Sequence, residues 1–129
     1  MSDGRTPRKA LLVEDEALVA MIAEDYLDAI GFVPLCVDTA ADALDALAGG
    51  GFSLAVIDVG LPDMRGDDLA AKARQLAPDL PIVVASGFDP AELRLRFAGD
   101  GAVVVLGKPY TERDLRAAIA AAGLAEVSV

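Results

Sequence analysis

Five short apolar runs alternate with amphipathic stretches along this chain of 129 residues. Most of the runs are continuously apolar instead of alternating with polar residues, which is typical of strands that are buried on both faces of a sheet. Strands of that kind need helices packed on both sides of the sheet. The five runs span residues 10–13, 32–37, 54–57, 82–85 and 103–106.

The stretches between these runs predict helices. The first covers about residues 16–30, where large apolar residues recur at three- and four-residue spacing and Gly31 provides an end signal. The recurring residues are Leu18, Val19, Ile22, Tyr26 and Leu27. Capping signals predict three later helix starts at Thr39, Asp89 and Thr111, with a further helix over about residues 67–77.

This alternation predicts an α/β fold in which helices cover both faces of a five-stranded parallel sheet. We expect a flavodoxin-like (βα)5 three-layer sandwich with the strand order 2-1-3-4-5. Pro34 predicts that the second strand lies at a sheet edge, since proline cannot donate to a neighbouring strand. One domain is expected over residues 9–124, with a flexible N-terminal tail over 1–8 and a C-terminal tail over 125–129.

The composition excludes several kinds of function. Twenty-one acidic residues against eleven basic ones give a formal charge of -10, which argues against binding nucleic acid or an anionic membrane. The chain has no histidine and a single cysteine, which excludes histidine-dependent catalysis, histidine-ligated zinc and an internal disulfide. No membrane-length apolar run and no signal segment are found, so a cytoplasmic location is expected.

Polar residues stand where the predicted strands end. Glu14 and Asp15 follow the first run, Asp58 the third, Ser86 the fourth, and Lys108 comes shortly after the fifth. Since the carboxyl ends of parallel strands share one edge, these groups are expected to converge. Three close carboxylates repel each other and favour raised pKa values or a hard cation such as Mg2+. A neighbouring ammonium and hydroxyl suit a transferred phosphoryl group.

Four motifs carry a resemblance to a known family. They are the Glu14-Asp15 pair, residues 56–62 (Val-Ile-Asp-Val-Gly-Leu-Pro), residues 85–87 (Ala-Ser-Gly) and Lys108-Pro109. In this order and spacing, over about residues 8–124, the chain resembles a receiver domain of the two-component response regulators. Each motif is weakly specific alone, whereas four together on an alternating α/β pattern are strongly specific.

The resemblance implies a role for each site residue. Asp58 would accept a phosphoryl group from the phosphohistidine of a sensor histidine kinase or a histidine phosphotransfer protein. Asp15 and Asp58 would ligate Mg2+ directly, together with the backbone carbonyl of Gly60, and Glu14 would act mainly through a water. Lys108 would pair with the phosphoryl group.

The resemblance also implies a switch region. Ser86 would bind a phosphoryl oxygen and move on activation. Receivers usually carry a rotating Tyr or Phe three residues before the motif lysine, but Val105 occupies that position here. Residues 85–88 (Ala-Ser-Gly-Phe) resemble a receiver subfamily with the signature Phe-Ala-Thr-Gly-hydrophobic-Tyr, which also lacks that aromatic. The outer signature positions differ in this chain.

The sequence therefore predicts a stand-alone receiver that signals by protein contact and is not an enzyme, apart from assisting its own phosphorylation and dephosphorylation. The surface of the last two helices and the last strand is the expected contact face, although core packing explains most of its apolar residues. Its candidate anchors are Phe88, Leu93, Leu95, Phe97 and Tyr110, with Arg94 and Arg96 for polar specificity.

Three alternatives stay open. A phosphate sink or a phosphorylation-independent adaptor would have the same fold. A phosphatase of the haloacid-dehalogenase type would need an acid two residues after its nucleophile, where this chain has Gly60.

Other polar residues have simpler interpretations. The pairs Asp25 with Asp28 and Asp67 with Asp68 are expected on solvated helix faces. Cys36 is interpreted as a small core residue.

Overall fold

The computed structural model describes residues 8–87 and 90–124, and within them five parallel strands form one sheet in the predicted order β2-β1-β3-β4-β5. The strands are β1 (Arg8–Val13), β2 (Phe32–Val37), β3 (Phe52–Asp58), β4 (Ile82–Ser86) and β5 (Val103–Gly107). The helices are α1 (Ala17–Ile30), α2 (Ala40–Gly49), α3 (Gly66–Leu76), α4 (Ala91–Arg96) and α5 (Glu112–Ala121).

Two hydrophobic cores lie on opposite faces of the sheet. Leu11 packs into a core with buried residues of α2, α3 and α4, while its neighbour Leu12 packs into a core with α1 and α5. Successive residues of a strand point to opposite faces, so an apolar run without alternation fills both cores. The three-layer sandwich expected from the sequence is therefore confirmed.

Local signals fix several element boundaries as expected. Gly31 ends α1 in the left-handed conformation with φ 115°. The Thr39 hydroxyl accepts from the backbone N–H of Asp42 at the start of α2 (3.1 Å), and Thr111 forms a reciprocal capping box with Asp114 at the start of α5. Pro34 lies on β2, which pairs with β1 and forms a sheet edge.

Helix α4 has six residues and begins at Ala91, with Pro90 just before it. The sequence places Pro90 at the first helical position, so the observed start lies one residue later. Asp89, the predicted cap, lies outside the described residues, as does Phe88. The predicted tails also lie outside them, except that Arg8 begins β1.

The buried face of α1 differs from the prediction. Its buried residues include Ala20 and Ala23, whereas Leu18 is 70% exposed and Ile22 is 45% exposed. Leu27, a member of the predicted repeat, is fully buried, and Ile30 is 5% exposed. The spacing identified the helix, but Leu18 and Ile22 lie off its buried face. Among the described residues no helix is long and apolar enough to span a bilayer.

A half-buried ion pair connects the end of α3 to the turn before β5. Arg74 Nε lies 2.6 Å from Asp100 Oδ2, and Arg74 Nη1 donates to the Leu80 carbonyl (3.1 Å). Burial alone would raise the pKa of Asp100, but the hydrogen bond and charge of Arg74 and the Ala102 backbone N–H outweigh it and lower the pKa.

We therefore expect Asp100 to contribute to acid sensitivity. A carboxyl whose pKa is lowered by folding stabilises the protein above its unfolded pKa, near about 4, and this contribution is lost as the pH falls through the folded pKa. Asp100→Asn should lower the free energy of unfolding at pH 7 by about 1 kcal/mol and flatten its decline on acidification. Urea unfolding at several pH values from neutral to acidic measures both effects. An unchanged decline in the variant would contradict this assignment.

Candidate functional site

The predicted polar groups meet at the carboxyl edge of the sheet. Asp58 is the last residue of β3 and Ser86 the last of β4, while Glu14 and Asp15 directly follow β1. One oxygen of each of the three acids lies within 4.8 Å of the others. The parallel arrangement thus places residues 44 positions apart in one site, as the sequence predicts.

Lys108 is the cation of this acidic site. Its Nζ lies 2.7 Å from Asp58 Oδ1 and 3.3 Å from Glu14 Oε1. Burial alone would lower the pKa of Lys108, but the hydrogen bond and charge of Asp58, together with Glu14, outweigh burial and raise it. The ammonium therefore stays charged beside the two carboxylates at neutral pH.

Glu14 is buried, and this burial is the main cause of its raised pKa, with the charge of Asp58 acting in the same direction. Lys108 and the Glu16 backbone N–H, which donates to Glu14 Oε2 at 3.2 Å, oppose that rise. The three acids offer oxygen donors alone. This donor set fits a hard cation such as Mg2+.

The loop after β3 contacts the second oxygen of Asp58. The Gly60 backbone N–H donates to Asp58 Oδ2 at 3.1 Å, and a Cβ at Gly60 would lie 3.3 Å from that oxygen. Lys108 and Gly60 therefore hold one carboxylate oxygen each. This arrangement fixes the orientation of the Asp58 carboxylate at the end of its strand.

The two residues of the predicted switch region are both buried. Ser86 lies at the end of β4, where its carbonyl accepts from the Lys108 backbone N–H at 2.8 Å. Val105 pairs with Val84 on the neighbouring strand and packs in the core shared with α2, α3 and α4. A small apolar side chain therefore occupies the position where the resemblance places a rotating ring.

A cleft of about 670 Å³ opens beside Asp58 and includes residues of α3 and α4. Besides Ser86 and Lys108, its lining includes two arginines, Arg65 and Arg96. Arg96 Nη1 lies 2.7 Å from Asp67 Oδ2 and 2.9 Å from Asp68 Oδ1. In this structure α3 therefore holds the guanidinium of Arg96, which the sequence analysis offered for polar specificity toward a partner.

Asp67 is also not on a solvated face, contrary to the sequence-based expectation. Its side chain is 7% exposed, and Arg65 Nε lies 3.0 Å from it. Burial alone would raise the pKa of Asp67, but hydrogen bonds and charge from Arg65, together with Arg96, lower it. Charge patterning along one helix could not identify a partner on α4. Asp68 is partly exposed and Asp25 is exposed, which agrees better with the solvated helix faces expected for them.

Asp63 has a structural role that the sequence analysis missed. Its carboxylate accepts from the backbone N–H groups of Ala40 (2.8 Å) and Ala41 (3.0 Å). These bonds lower the pKa of Asp63 and cap α2 from the loop that follows β3. A cap that comes from 23 residues away in the chain leaves no local signal.

Gly66 permits a close approach between the start of α3 and the end of β3. A Cβ at this position would overlap the Asp58 carbonyl and lie 2.7 Å from Val59 Cα. The Gly66 backbone N–H donates to the Val59 carbonyl at 2.9 Å. The missing side chain thus allows the loop to fold back tightly beneath Asp58.

Cys36 is partly buried against the core formed with α1 and α5. Burial is the main cause that raises the pKa of its thiol, and the charge of Glu24 acts in the same direction. A raised pKa disfavours the reactive thiolate. The placement of Cys36 is in keeping with its interpretation as a small core residue.

Comparison with known proteins identifies the family. The family model of the response regulator receiver domain matches residues 10–120. Response regulator protein FleR of Pseudomonas aeruginosa is 34% identical over 83% of this chain and 23% of its own length. Response regulator receiver protein CpdR of Brucella abortus is 32% identical over 84% of this chain and 90% of its own length. The chain thus spans under a quarter of one relative and most of the other.

Solved structures agree with the sequence comparison. A CheY-like receiver domain from Methanospirillum hungatei is 28% identical and superposes with a TM-score of 0.77, covering 85% of this chain and 88% of that one. Shared fold, family match and the acidic edge of the sheet lead to one conclusion. The chain belongs to the response regulator receiver domain family.

Proposed function

We propose that the protein accepts a phosphoryl group on Asp58 and transmits the signal through contacts with another protein. The observation that carries this proposal is the ammonium of Lys108, 2.7 Å from Asp58 Oδ1, in a cleft that Ser86 also lines. Positioned positive charge and hydroxyl donors are the main requirements of phosphoryl transfer.

In the proposed reaction, an oxygen of Asp58 attacks the phosphorus of a phosphohistidine on a sensor histidine kinase or histidine phosphotransfer protein. A P–O bond forms and the P–N bond breaks. The bonding electrons return to the partner's imidazole, which takes up a proton from solvent. Lys108 offsets the negative charge of the transferred group, and the Ser86 hydroxyl donates to one of its oxygens. The protein acts as a phosphoacceptor that assists its own modification.

We propose that Asp15, Asp58 and the Gly60 backbone carbonyl hold a Mg2+ ion, with Glu14 acting mainly through a water. The clustered oxygen donors of the three acids support this assignment. When bound, the ion supplies positive charge that offsets the charge of the phosphoryl oxygens. In its absence, Lys108 is the cation that contacts Glu14 and Asp58.

Magnesium is expected to stabilise the folded protein through mass action. At 100 times the dissociation constant, the free energy of unfolding should rise by about 2.7 kcal/mol, and thermal unfolding with and without Mg2+ measures this rise. Asp15→Ala should remove the response, because it removes one ligand. Asp25→Ala removes an equal charge from an exposed position on α1 and should keep the response. An unchanged response in Asp15→Ala would place the ion elsewhere.

Phosphorylation itself is tested by intact mass after incubation with acetyl phosphate and Mg2+. The wild-type protein should gain a single phosphoryl group and release acetate, and Asp58→Ala should gain none. Asp79→Ala is a matched control, since it removes an exposed carboxylate from the loop before β4, and it should be phosphorylated normally. Absence of any wild-type adduct would favour a phosphorylation-independent adaptor. A phosphate sink would give the same adduct.

We propose that the phosphoryl donor docks beside α1. An apolar groove of about 360 Å³ lies between this helix and the turn after β5, and its lining includes Ile22, Tyr26 and Lys108. The exposed Leu18 extends the apolar face along α1. Because Lys108 lines both this groove and the cleft at Asp58, a partner seated here would lie next to the phosphoacceptor.

The output is proposed to be a protein contact made by a surface that includes α4. Leu95 on this helix is 78% exposed, and Arg94 is exposed beside it. We propose stand-alone signalling; the chain covers 90% of the receiver protein CpdR and 23% of FleR. The acidic composition of the chain supports a protein partner over nucleic acid or a membrane, and the protein is proposed to act in the cytoplasm.

A further inference from the structure

Helix α4 is joined to α3 by ion pairs that the sequence did not predict, because Asp67 and Asp68 were expected on a solvated helix face. Arg96, the last residue of α4, contacts Asp67 and Asp68 on the first turn of α3 at 2.7 Å and 2.9 Å. We call these two contacts the Arg96 bridge. Leu93 is the buried residue of the short helix, and Phe97 at its end packs against the same core. The bridge adds a polar contact between α4 and α3.

The Arg96 bridge can open without leaving a buried charge unpaired. Asp67 has a second guanidinium partner, because Arg65 Nε lies 3.0 Å from its other oxygen. Breaking a buried ion pair is costly mainly when one partner is left uncompensated. Here Arg65 would remain on Asp67, while the partly exposed Arg96 could turn toward another acceptor.

The cleft at Asp58 provides a place for such an acceptor. Arg96 and Asp58 line the same cleft. A phosphoryl group on Asp58 would add about 1.5 to 2 negative charges there, with three strong acceptor oxygens. Charge-assisted hydrogen bonds to a guanidinium are among the strongest that proteins form.

Val105 stands where the resemblance places a rotating aromatic ring, so the Arg96 bridge is considered as another connection to α4. Val105 is buried in the core that includes Leu93 of α4, and a valine has no ring to rotate between a buried and an exposed position. A change at Ser86 therefore needs another route to α4. The Arg96 bridge joins α4 to α3 at the rim of the cleft that contains Ser86.

We infer that the Arg96 bridge is a latch on α4 that phosphorylation of Asp58 opens. The inference rests on the proposed function, since the phosphoryl group is the competing acceptor. In the unphosphorylated protein, the bridge holds α4 against α3. After phosphorylation, Arg96 exchanges Asp67 and Asp68 for the phosphoryl oxygens, and α4, released from α3, moves to present Leu95 to a partner.

Hydrogen–deuterium exchange of the peptide covering α4 tests the latch, with acetyl phosphate and Mg2+ as the phosphorylating mixture and intact mass to verify the adduct. In the wild type, phosphorylation should speed exchange in α4 by about tenfold. In unphosphorylated Arg96→Ala, the α4 peptide should already exchange at this faster rate. Phosphorylation should then change its exchange rate little. Arg116→Ala is the matched control, because Arg116 forms a partly exposed pair with Glu112 within α5, and it should behave as the wild type.

Different failures of this experiment have different meanings. Wild-type α4 exchange that is unchanged or slowed by a verified adduct would overturn the latch while the proposed function stands. If α4 exchanges at the wild-type rate in unphosphorylated Arg96→Ala, the bridge does not hold the helix. That result would also overturn the latch. A wild type that takes no phosphoryl group from the mixture would overturn the proposed function and the latch together.

Discussion

Gly66→Ala is expected to be severely destabilising, lowering the free energy of unfolding by about 3 kcal/mol or more. The added Cβ would overlap the Asp58 carbonyl and lie 2.6 Å from the Asp58 carbonyl carbon. Both belong to backbone, so no side-chain rotation can relieve the overlap. The start of α3 would have to move away from β3, which would displace the loop that holds Asp58. Urea unfolding measures the loss of stability.

A matched substitution separates this steric effect from the general effect of alanine in a helix. Gly49 lies at the end of α2, and a Cβ there would have no atom within 4 Å. Gly49→Ala should be neutral or stabilise the protein by up to about 1 kcal/mol, since alanine is the better helix former. Equal effects of the two substitutions would contradict the close approach at Gly66.

Lys108→Ala is expected to cost about 3 kcal/mol of stability in the absence of divalent cations. The substitution removes the cation from Glu14 and Asp58, which are both buried. Phosphorylation by acetyl phosphate should slow about 100-fold or more, because the group that offsets the phosphoryl charge is lost. Thermal unfolding and the rate of adduct formation by intact mass measure the two effects.

Magnesium and a second lysine supply the controls for Lys108→Ala. At the proposed Mg2+ site the ammonium and the ion would compete for Asp58, so Mg2+ should stabilise this variant more than the wild type. Lys72→Ala removes an exposed lysine from α3 and should change neither stability nor phosphorylation by much. A Lys108→Ala protein as stable as the wild type without Mg2+ would show that the carboxylates of Glu14 and Asp58 do not depend on this lysine.

Much of the fold and site could be predicted because the responsible signals are local. Unbroken apolar runs around Leu11 and Ile57 predicted strands buried on both faces, and Pro34 predicted an edge strand. The convergence of Glu14, Asp58 and the other strand-end groups followed from a general property of parallel sheets. Such inferences need no knowledge of distant contacts.

Helix faces and charge partners were predicted less well, since they depend on which elements pack together. Leu18 belongs to the apolar repeat that identified α1, yet it is exposed, whereas Ala20 and Ala23 are buried. Asp67 was assigned to solvent, yet two guanidinium groups surround its buried carboxylate. Neither outcome can be found from the spacing of residues within one helix.

By itself, the sequence determined the alternating α/β architecture and the polar residues at the carboxyl edge, because hydrophobic periodicity and strand-end position are properties of short segments. Tertiary structure alone decided that Asp63 caps α2, that Gly66 lies against the backbone of Asp58, and that Arg96 bridges to α3. These contacts join residues that are close in space and distant along the chain or in separate elements. Packing, which sets such distances, is a property of the whole fold.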